Sequence, residues 1–144
     1  MTSLPIWWIL ARTYCQATEE ESRVSQALDA AISGGRATRQ AVEGQHGNRV
    51  IILTRRVESA TDVHATWERW SEAGLVDALR PAVDSRVDDE AILHVRVDKQ
   101  KAFEGMLSLA GGADTIDVQV KIKAYPANPE EIRRVAGLLV SEAA

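Results

Sequence analysis

The sequence is short of the residues on which several common kinds of protein depend. Its 144 residues include one cysteine, Cys15, so no disulfide can form within the chain. It has a single phenylalanine, and no apolar run is long enough to cross a bilayer. There are 17 Lys and Arg residues against 21 Asp and Glu, a formal net charge of −4, which argues against coating nucleic acid through bulk charge. Hydrophobic residues make up 45%, which is enough for a buried core and excludes wholesale disorder.

The apolar stretch near the start of the chain is predicted to be a buried strand. Residues 4–11 are apolar, no Lys or Arg precedes them, and Arg12 follows them. A secretion signal has the opposite order, with basic residues before its apolar region. Because there is no export signal and the lone cysteine suits a reducing compartment, we expect a cytoplasmic protein that does not enter a membrane.

Alternation of apolar and polar residues predicts the first strand over residues 6–17. One face is expected to form core and carries Trp7, Ile9, Ala11, Thr13 and Cys15. The other face begins apolar and becomes polar, and it carries Trp8, Leu10, Arg12, Tyr14 and Gln16. Thr18 and Glu21 then have the spacing of a capping box and predict the start of a helix.

The rest of the chain continues the alternation of strands and helices. Residues 36–43 and 49–58 predict a hairpin around the turn 44–48, and residues 115–125 form the most regular alternating strand. Ser59 or Thr61, Asp98 and Asn128 are predicted helix caps. The order is β-α-β-β-α-β-α-β-α. It predicts a single α+β domain over residues 1–144, with two layers: a mostly antiparallel sheet and helices on one face.

Candidate reactive sites all have ordinary structural explanations. The three histidines, His46, His64 and His94, do not stand at metal-ligand spacing, so we expect no metal and no cofactor. Cys15 lies in mid-strand and is interpreted as a structural thiol. The acidic run 88–90 is interpreted as a solvated turn, and the glycine-rich segment 44–49 as a hairpin turn rather than a phosphate cradle.

The uncovered face of the predicted sheet is the most suggestive feature. It carries basic side chains, Arg12, His94, Arg96, Lys121 and Lys123, together with Tyr14, and residues 99–101 add more cations at the end of one strand. Cations that neutralise phosphates beside a ring that stacks on a base are a common means of RNA binding. Two alternatives are a sheet merely solubilised by Lys and Arg, and a face that Trp8 and Leu10 bury against another subunit.

Five segments of the chain together form a recognisable pattern: residues 12–19 (RTYCQATE), 44–48 (GQHGN), 67–69 (WER), 97–105 (VDKQKAFEG) and 118–126 (VQVKIKAYP). They resemble one archaeal family of RNA-binding proteins, also described as predicted exosome subunits, whose fold resembles ribosomal protein L5. Their order and spacing agree over nearly the whole chain. The chain departs from the family pattern at Gln16, where His is common, and at Arg49, where Pro is common. The resemblance implies an archaeal source and an association with RNA processing.

The leading hypothesis is a non-catalytic RNA-binding protein, an accessory of archaeal RNA processing or the exosome. The alternative is a protein–protein adaptor or homodimeric assembly subunit without RNA contact, whose partners would be exosome or ribosome-associated proteins. A third hypothesis is an enzyme that acts on the phosphodiesters of a nucleotide or an RNA end through His46, Arg49 and a carboxylate. The residues predicted to bind RNA are Arg12, Tyr14, His46, Arg49, Arg96, Lys99, Gln100, Lys101, Lys121 and Lys123.

Overall fold

The computed structural model describes residues 4–44 and 47–141 and has the predicted α+β architecture. Five strands form one sheet in the order β2-β3-β1-β5-β4, and every neighbouring pair is antiparallel. The strands are β1 (Ile6–Cys15), β2 (Arg36–Glu43), β3 (Arg49–Val57), β4 (Ile92–Asp98) and β5 (Thr115–Ile122). The first strand of the chain therefore lies at the centre of the sheet, and the predicted hairpin forms one side of it.

Helices cover one face of this sheet. They are α1 (Glu21–Ala31), α2 (Ala60–Glu72), α3 (Leu75–Leu79), α4 (Val83–Arg86), α5 (Lys99–Phe103) and α6 (Pro129–Ser141), with a 3₁₀ turn at Arg80–Ala82. The caps predicted for α2 and α6 are confirmed: Ser59 Oγ accepts from the Asp62 N–H at 3.1 Å, and Asn128 Oδ1 accepts from the Glu131 N–H at 2.8 Å. Among the described residues, no helix is both long and apolar enough to span a bilayer.

The core lies between the helices and one face of the sheet. Every second residue of β5 is buried in it, as are Trp70 of α2 and Ile132 of α6, each at most 1% exposed. The Trp70 indole N–H donates to the Ala31 carbonyl at 2.8 Å, which satisfies the one polar atom that this large side chain buries. Helix α2 is thereby tied to the end of α1.

The predicted core position of Trp7 is wrong. The register between β1 and β5 shifts between Ile6 and Trp8, so Ile6 faces the core and Trp7 points away from it. Ile6 is 4% exposed and Trp7 is 47% exposed. Beyond the irregularity the predicted alternation holds, and Ile9 through Cys15 are buried at every second position.

The predicted capping box at Thr18 is also wrong. Helix α1 begins at Glu21, Glu20 is in the N-cap position, and no side-chain cap bond forms there. The Glu19 carboxylate instead accepts from the Gln16 N–H at 3.0 Å and from Lys99 Nζ at 3.0 Å. The turn between β1 and α1 is therefore held in part by Lys99, which is remote in the sequence.

Candidate nucleic-acid interface

The face of the sheet opposite the helices is uncovered and carries several cations. Directly paired residues of antiparallel strands project to the same face, so the register lays out this surface in rows. Arg12 of β1 lies between Thr54 of β3 and Asp117 of β5, with Arg96 of β4 beyond Asp117. The open face comprises Trp8, Leu10, Arg12, Tyr14, Arg36, Thr38, Gln40, Ile52, Thr54, Arg56, His94, Arg96, Asp117, Gln119 and Lys121.

Two arginines of the open face have no acidic partner among the described residues. Arg12 and Arg36 are both exposed. Within residues 4–44 and 47–141, neither forms an ion pair with a carboxylate. Arg36 also lines a groove, together with Leu10, Thr38, Thr54, Arg56 and Glu58. Their guanidinium groups are free to meet an anionic ligand.

The other cations of the open face are held by neighbours. Arg96 Nε lies 3.3 Å from Asp117 Oδ1, and Lys121 Nζ donates to the carbonyl of Glu90. The guanidinium of Arg56 lies 4.5 Å above the ring of Trp8, and its Nε is 2.6 Å from Glu58. These contacts fix the cations in place, while the carboxylates reduce the net positive charge of the surface.

Exposed aromatic rings lie near both ends of β1. Tyr14 is 40% exposed on the open face, where Ile52 is its direct neighbour on β3. Trp7 is exposed at the other end, with Lys123 Nζ 4.5 Å from the centre of its ring. An exposed ring beside a cation is the arrangement on which an unpaired base stacks while its phosphate is neutralised.

Lys99, one of the predicted RNA contacts, lies away from the open face. Its side chain is 5% exposed, and its ammonium donates to Glu19 at 3.0 Å, to Asp114 at 2.8 Å and to the Tyr14 carbonyl at 2.8 Å. Burial acts to lower the pKa of Lys99, but the hydrogen bonds that its ammonium donates to Asp114 and Glu19 outweigh burial and raise the pKa above its usual value. The ammonium therefore has three hydrogen-bond partners within the protein and is not directed toward a ligand on the open face.

Several other predicted residues also lie outside the open face. Arg49 has the same strand parity as Ile51 and Leu53, so it projects to the helix side, while Gln100 and Lys101 belong to α5, which packs against α1. Lys101 is exposed, and Gln100 donates to Asp114 at 2.7 Å. His46 falls outside the described residues. The structure thus brings Arg12, Tyr14, Arg96 and Lys121 onto one surface, with Lys123 at its margin.

Two arginines of this surface were not predicted from the sequence to lie on it. Arg36 and Arg56 lie directly opposite each other in the β2–β3 hairpin. The hairpin is predictable from the two runs and their turn, but the face of each residue depends on its register with β1. The polar alternation of β2, with Arg36, Thr38 and Gln40 in step, was the available signal.

Cys15 and Asp88 both have structural surroundings. Cys15 is 3% exposed; burial, and then the charge of Glu19, raises the pKa of its thiol, which disfavours the nucleophilic thiolate. Asp88 accepts from the Glu90 and Ile92 N–H groups and lies 2.7 Å from His94 Nε2. Its carboxylate therefore organises the turn before β4. Among the described residues, no group of three or more His, Cys, Asp or Glu side chains is placed to hold a metal.

Comparison with known proteins finds a matching family model and several archaeal relatives. A family model described as RNA binding matches residues 8–122. The RNA-binding protein PAB1135 of Pyrococcus abyssi is 26% identical over 135 residues, which cover 86% of this chain and 86% of that protein. Two solved archaeal structures also match over nearly their whole length.

Protein AF2318 of Archaeoglobus fulgidus superposes with a TM-score of 0.83 at 25% identity, covering 93% of this chain and 99% of that one. Mth689, a DUF54 protein of Methanothermobacter thermautotrophicus, superposes with a TM-score of 0.79 at 30% identity, covering 94% and 98%. The family resemblance of the five sequence segments is confirmed. The chain belongs to the family described as RNA binding, and the relatives named here come from archaea.

Proposed function

We propose that the open face binds RNA without catalysing a reaction on it. The observation that carries the proposal is the pair of exposed arginines, Arg12 and Arg36, which lack carboxylate partners among the described residues and share a surface with the exposed ring of Tyr14. The family description supports the same class of ligand. Arginine suits the role because its planar guanidinium can contact two phosphate oxygens at once.

Single-stranded RNA fits this surface better than a duplex does. Sequence-tolerant binding of single strands combines cations along the backbone with aromatic rings on which bases stack. The open face has both, since Arg12 and Tyr14 stand two positions apart on the same strand. In a duplex the base faces are already stacked on each other, so none is available to stack on the ring of Tyr14.

The net charge of −4 and the carboxylate of Asp117 limit the expected affinity. Binding should therefore depend on few phosphate contacts, so log K should fall with log salt along a shallow slope. Weak, sequence-tolerant binding suits an accessory protein that holds RNA while another protein processes it. We include the exosome among the proteins that it would assist. The alternative of an assembly subunit without RNA contact stays a prediction.

The test is the binding of a fluorescent single-stranded RNA, followed by anisotropy over a salt series. We compare the parent with Arg12→Glu and, as a matched control, with Arg133→Glu on the helix side of the protein. Arg133 is also exposed and, within the described part of the chain, has no ion pair. We expect Arg12→Glu to weaken binding and to reduce the slope of log K against log salt by about one, while the control leaves both unchanged.

A duplex of the same sequence and Tyr14→Ala complete the test. We expect weaker binding of the duplex, and a loss of about 1–3 kcal/mol with single strands when Tyr14 is truncated. If the parent shows no salt-dependent binding, or if both arginine variants lose affinity equally, the open face is not the RNA site.

A further inference from the structure

The two edge strands of the sheet differ in whether other parts of the chain cover their outer backbone groups. The outer edge of β4 is covered by flanking chain through isolated bridges between Val87 and Leu93 and between Val97 and Leu109. The backbone bonds of this cover run from Asp88 N–H to Ile92 O at 3.0 Å, from Ala110 N–H to Arg96 O at 2.8 Å, and from Asp98 N–H to Ser108 O at 3.0 Å. This edge is therefore closed to further strands.

In the described part of the chain, no segment covers the outer edge of β2 in this way. β2 pairs with β3 over all eight residues without a bulge. The Gly44 N–H donates across the hairpin to the Asn48 carbonyl at 2.6 Å, which shows that even-numbered residues direct their backbone groups toward β3. The odd-numbered residues Ala37, Arg39, Ala41 and Glu43 therefore direct theirs outward, and within the described residues none of these groups has a backbone partner.

We propose that this edge pairs with the same edge of a second copy of the chain, antiparallel and with Gln40 opposite Gln40. A two-fold axis perpendicular to the sheet then relates the copies. In this register Ala37 meets Glu43 and Arg39 meets Ala41. Every outward amide and carbonyl of these four residues then has a partner on the other copy, so the arrangement completes the ladder along all of β2.

The backbone of this edge favours a second copy in the register centred on Gln40. Centring the pairing on Arg39 would place Glu43 opposite no residue of β2, and centring it on Ala41 would do the same to Ala37, so the Gln40 register alone pairs all four outward residues within β2. The charges permit this approach. Arg39 forms a bidentate ion pair with Glu21 of its own chain, at 2.8 and 3.0 Å, so its charge is compensated where the two Arg39 side chains lie diagonally across the axis.

The pairing has a geometric consequence. An axis perpendicular to the sheet keeps the helices of both copies on one side and both open faces on the other. The sheet becomes continuous through β2, and Gln40 lies at the centre of the joined surface. This proposal goes beyond RNA binding and does not depend on it, since pairing uses backbone groups at the edge of the sheet.

A cysteine at the axis tests the register directly. Gln40 would form a non-hydrogen-bonded pair with itself, with Cα atoms about 4.5 Å apart, which is within the range of a disulfide. The matched control is Thr38→Cys, whose two copies would stand about 13 Å apart along the strands. The native Cys15 is buried, and the parent protein serves as the control for any cross-link that Cys15 forms.

We expect Gln40→Cys to form a disulfide-linked dimer under mild oxidation, while Thr38→Cys and the parent stay as single chains. Equal cross-linking of the two variants, cross-linking of Thr38→Cys alone, or no cross-linking of either overturns the proposed pairing.

Sedimentation of the reduced protein provides an independent measurement. The parent should shift from one to two chains as its concentration is raised from micromolar to millimolar. Ala41→Pro removes an amide that only the second copy would use, and Glu43→Arg places cations side by side across the interface. Both variants should stay monomeric while retaining the parent's circular dichroism spectrum. A parent that is monomeric at every concentration would overturn the proposal and leave the edge to some other partner.

Discussion

Replacing Lys99 by methionine tests whether this lysine stabilises the fold or binds RNA. The sequence predicts it at the RNA interface, whereas the structure buries it. Methionine keeps an unbranched stem of similar length and removes only the ammonium. The Tyr14 carbonyl then lacks its donor, and Glu19, at 22% exposure, loses its cation. Asp114 is 51% exposed and is easily resolvated.

The expected loss of stability follows from these three contacts. An acceptor left unsatisfied inside a protein costs about 1–3 kcal/mol. The half-exposed Asp114 adds at most about 1 kcal/mol. Removing the buried ammonium also recovers part of its desolvation cost, so we expect Lys99→Met to lower the free energy of unfolding by about 1–3 kcal/mol at pH 7. Urea unfolding followed by tryptophan fluorescence measures it.

The loss should depend on pH with a definite sign. Burial acts to raise the pKa of Asp114, but hydrogen bonds from Lys99 and then Gln100 outweigh it and hold the pKa below its usual value. A carboxylate whose pKa is lower in the folded chain stabilises the fold above its unfolded pKa of about 3.9, and this stabilisation disappears as the pH falls through the folded value. The difference between parent and variant should therefore be full at pH 7 and shrink below about pH 4.

Two results would refute this reasoning. One is a stability difference below about 1 kcal/mol at pH 7, which would mean that the buried ammonium is not paired as described. The other is a loss of RNA affinity in the folded variant equal to that of Arg12→Glu, which would return Lys99 to the interface. We expect RNA affinity to be unchanged, because the ammonium already has three partners inside the protein.

Three further predictions test the core, a backbone turn and the charge of the open face. Trp70→Phe removes the indole N–H that donates to α1 and should cost about 2–3 kcal/mol in thermal or urea unfolding. Gly35→Ala should cost at least about 2 kcal/mol, because Gly35 has a φ of +80° and a Cβ there would overlap the Arg56 carbonyl; Gly111→Ala, with open space around it, should stay within about 0.5 kcal/mol. Asp117→Asn keeps an acceptor but removes a negative charge, so RNA should bind about two- to threefold more tightly at low salt, and unchanged affinity would contradict a role for this face.

Local patterns were sufficient wherever a structural feature depends on neighbours in the chain. The alternation of β5 correctly predicts its buried face, and Ser59 and Asn128 cap their helices as predicted. The two runs around residues 44–48 correctly predict the β2–β3 hairpin. Each of these signals lies within a few residues of the structure that it specifies.

The misplaced residues all depend on remote contacts. Trp7 leaves the core because of an irregularity in the pairing of β1 with β5, which no pattern within β1 reveals. Lys99 follows a strand in a basic segment, and its burial depends on Glu19, 80 positions away. The same contact draws Glu19 into the turn before α1, where Thr18 had been the predicted cap. Arg36 and Arg56 joined the candidate site only when the register placed them on the same face as Arg12.

The central place of β1 also has a consequence for how the protein is made. β1 is synthesised about 100 residues before β5, so both of its edges can be paired only after β5 has been made. At about 5–20 residues per second, the ribosome needs on the order of 5–20 s to supply it. During that time the apolar run 6–11 of β1 lacks a partner strand on one side, so nascent chains that stop before residue 115 should be clients of chaperones or nuclei of aggregation.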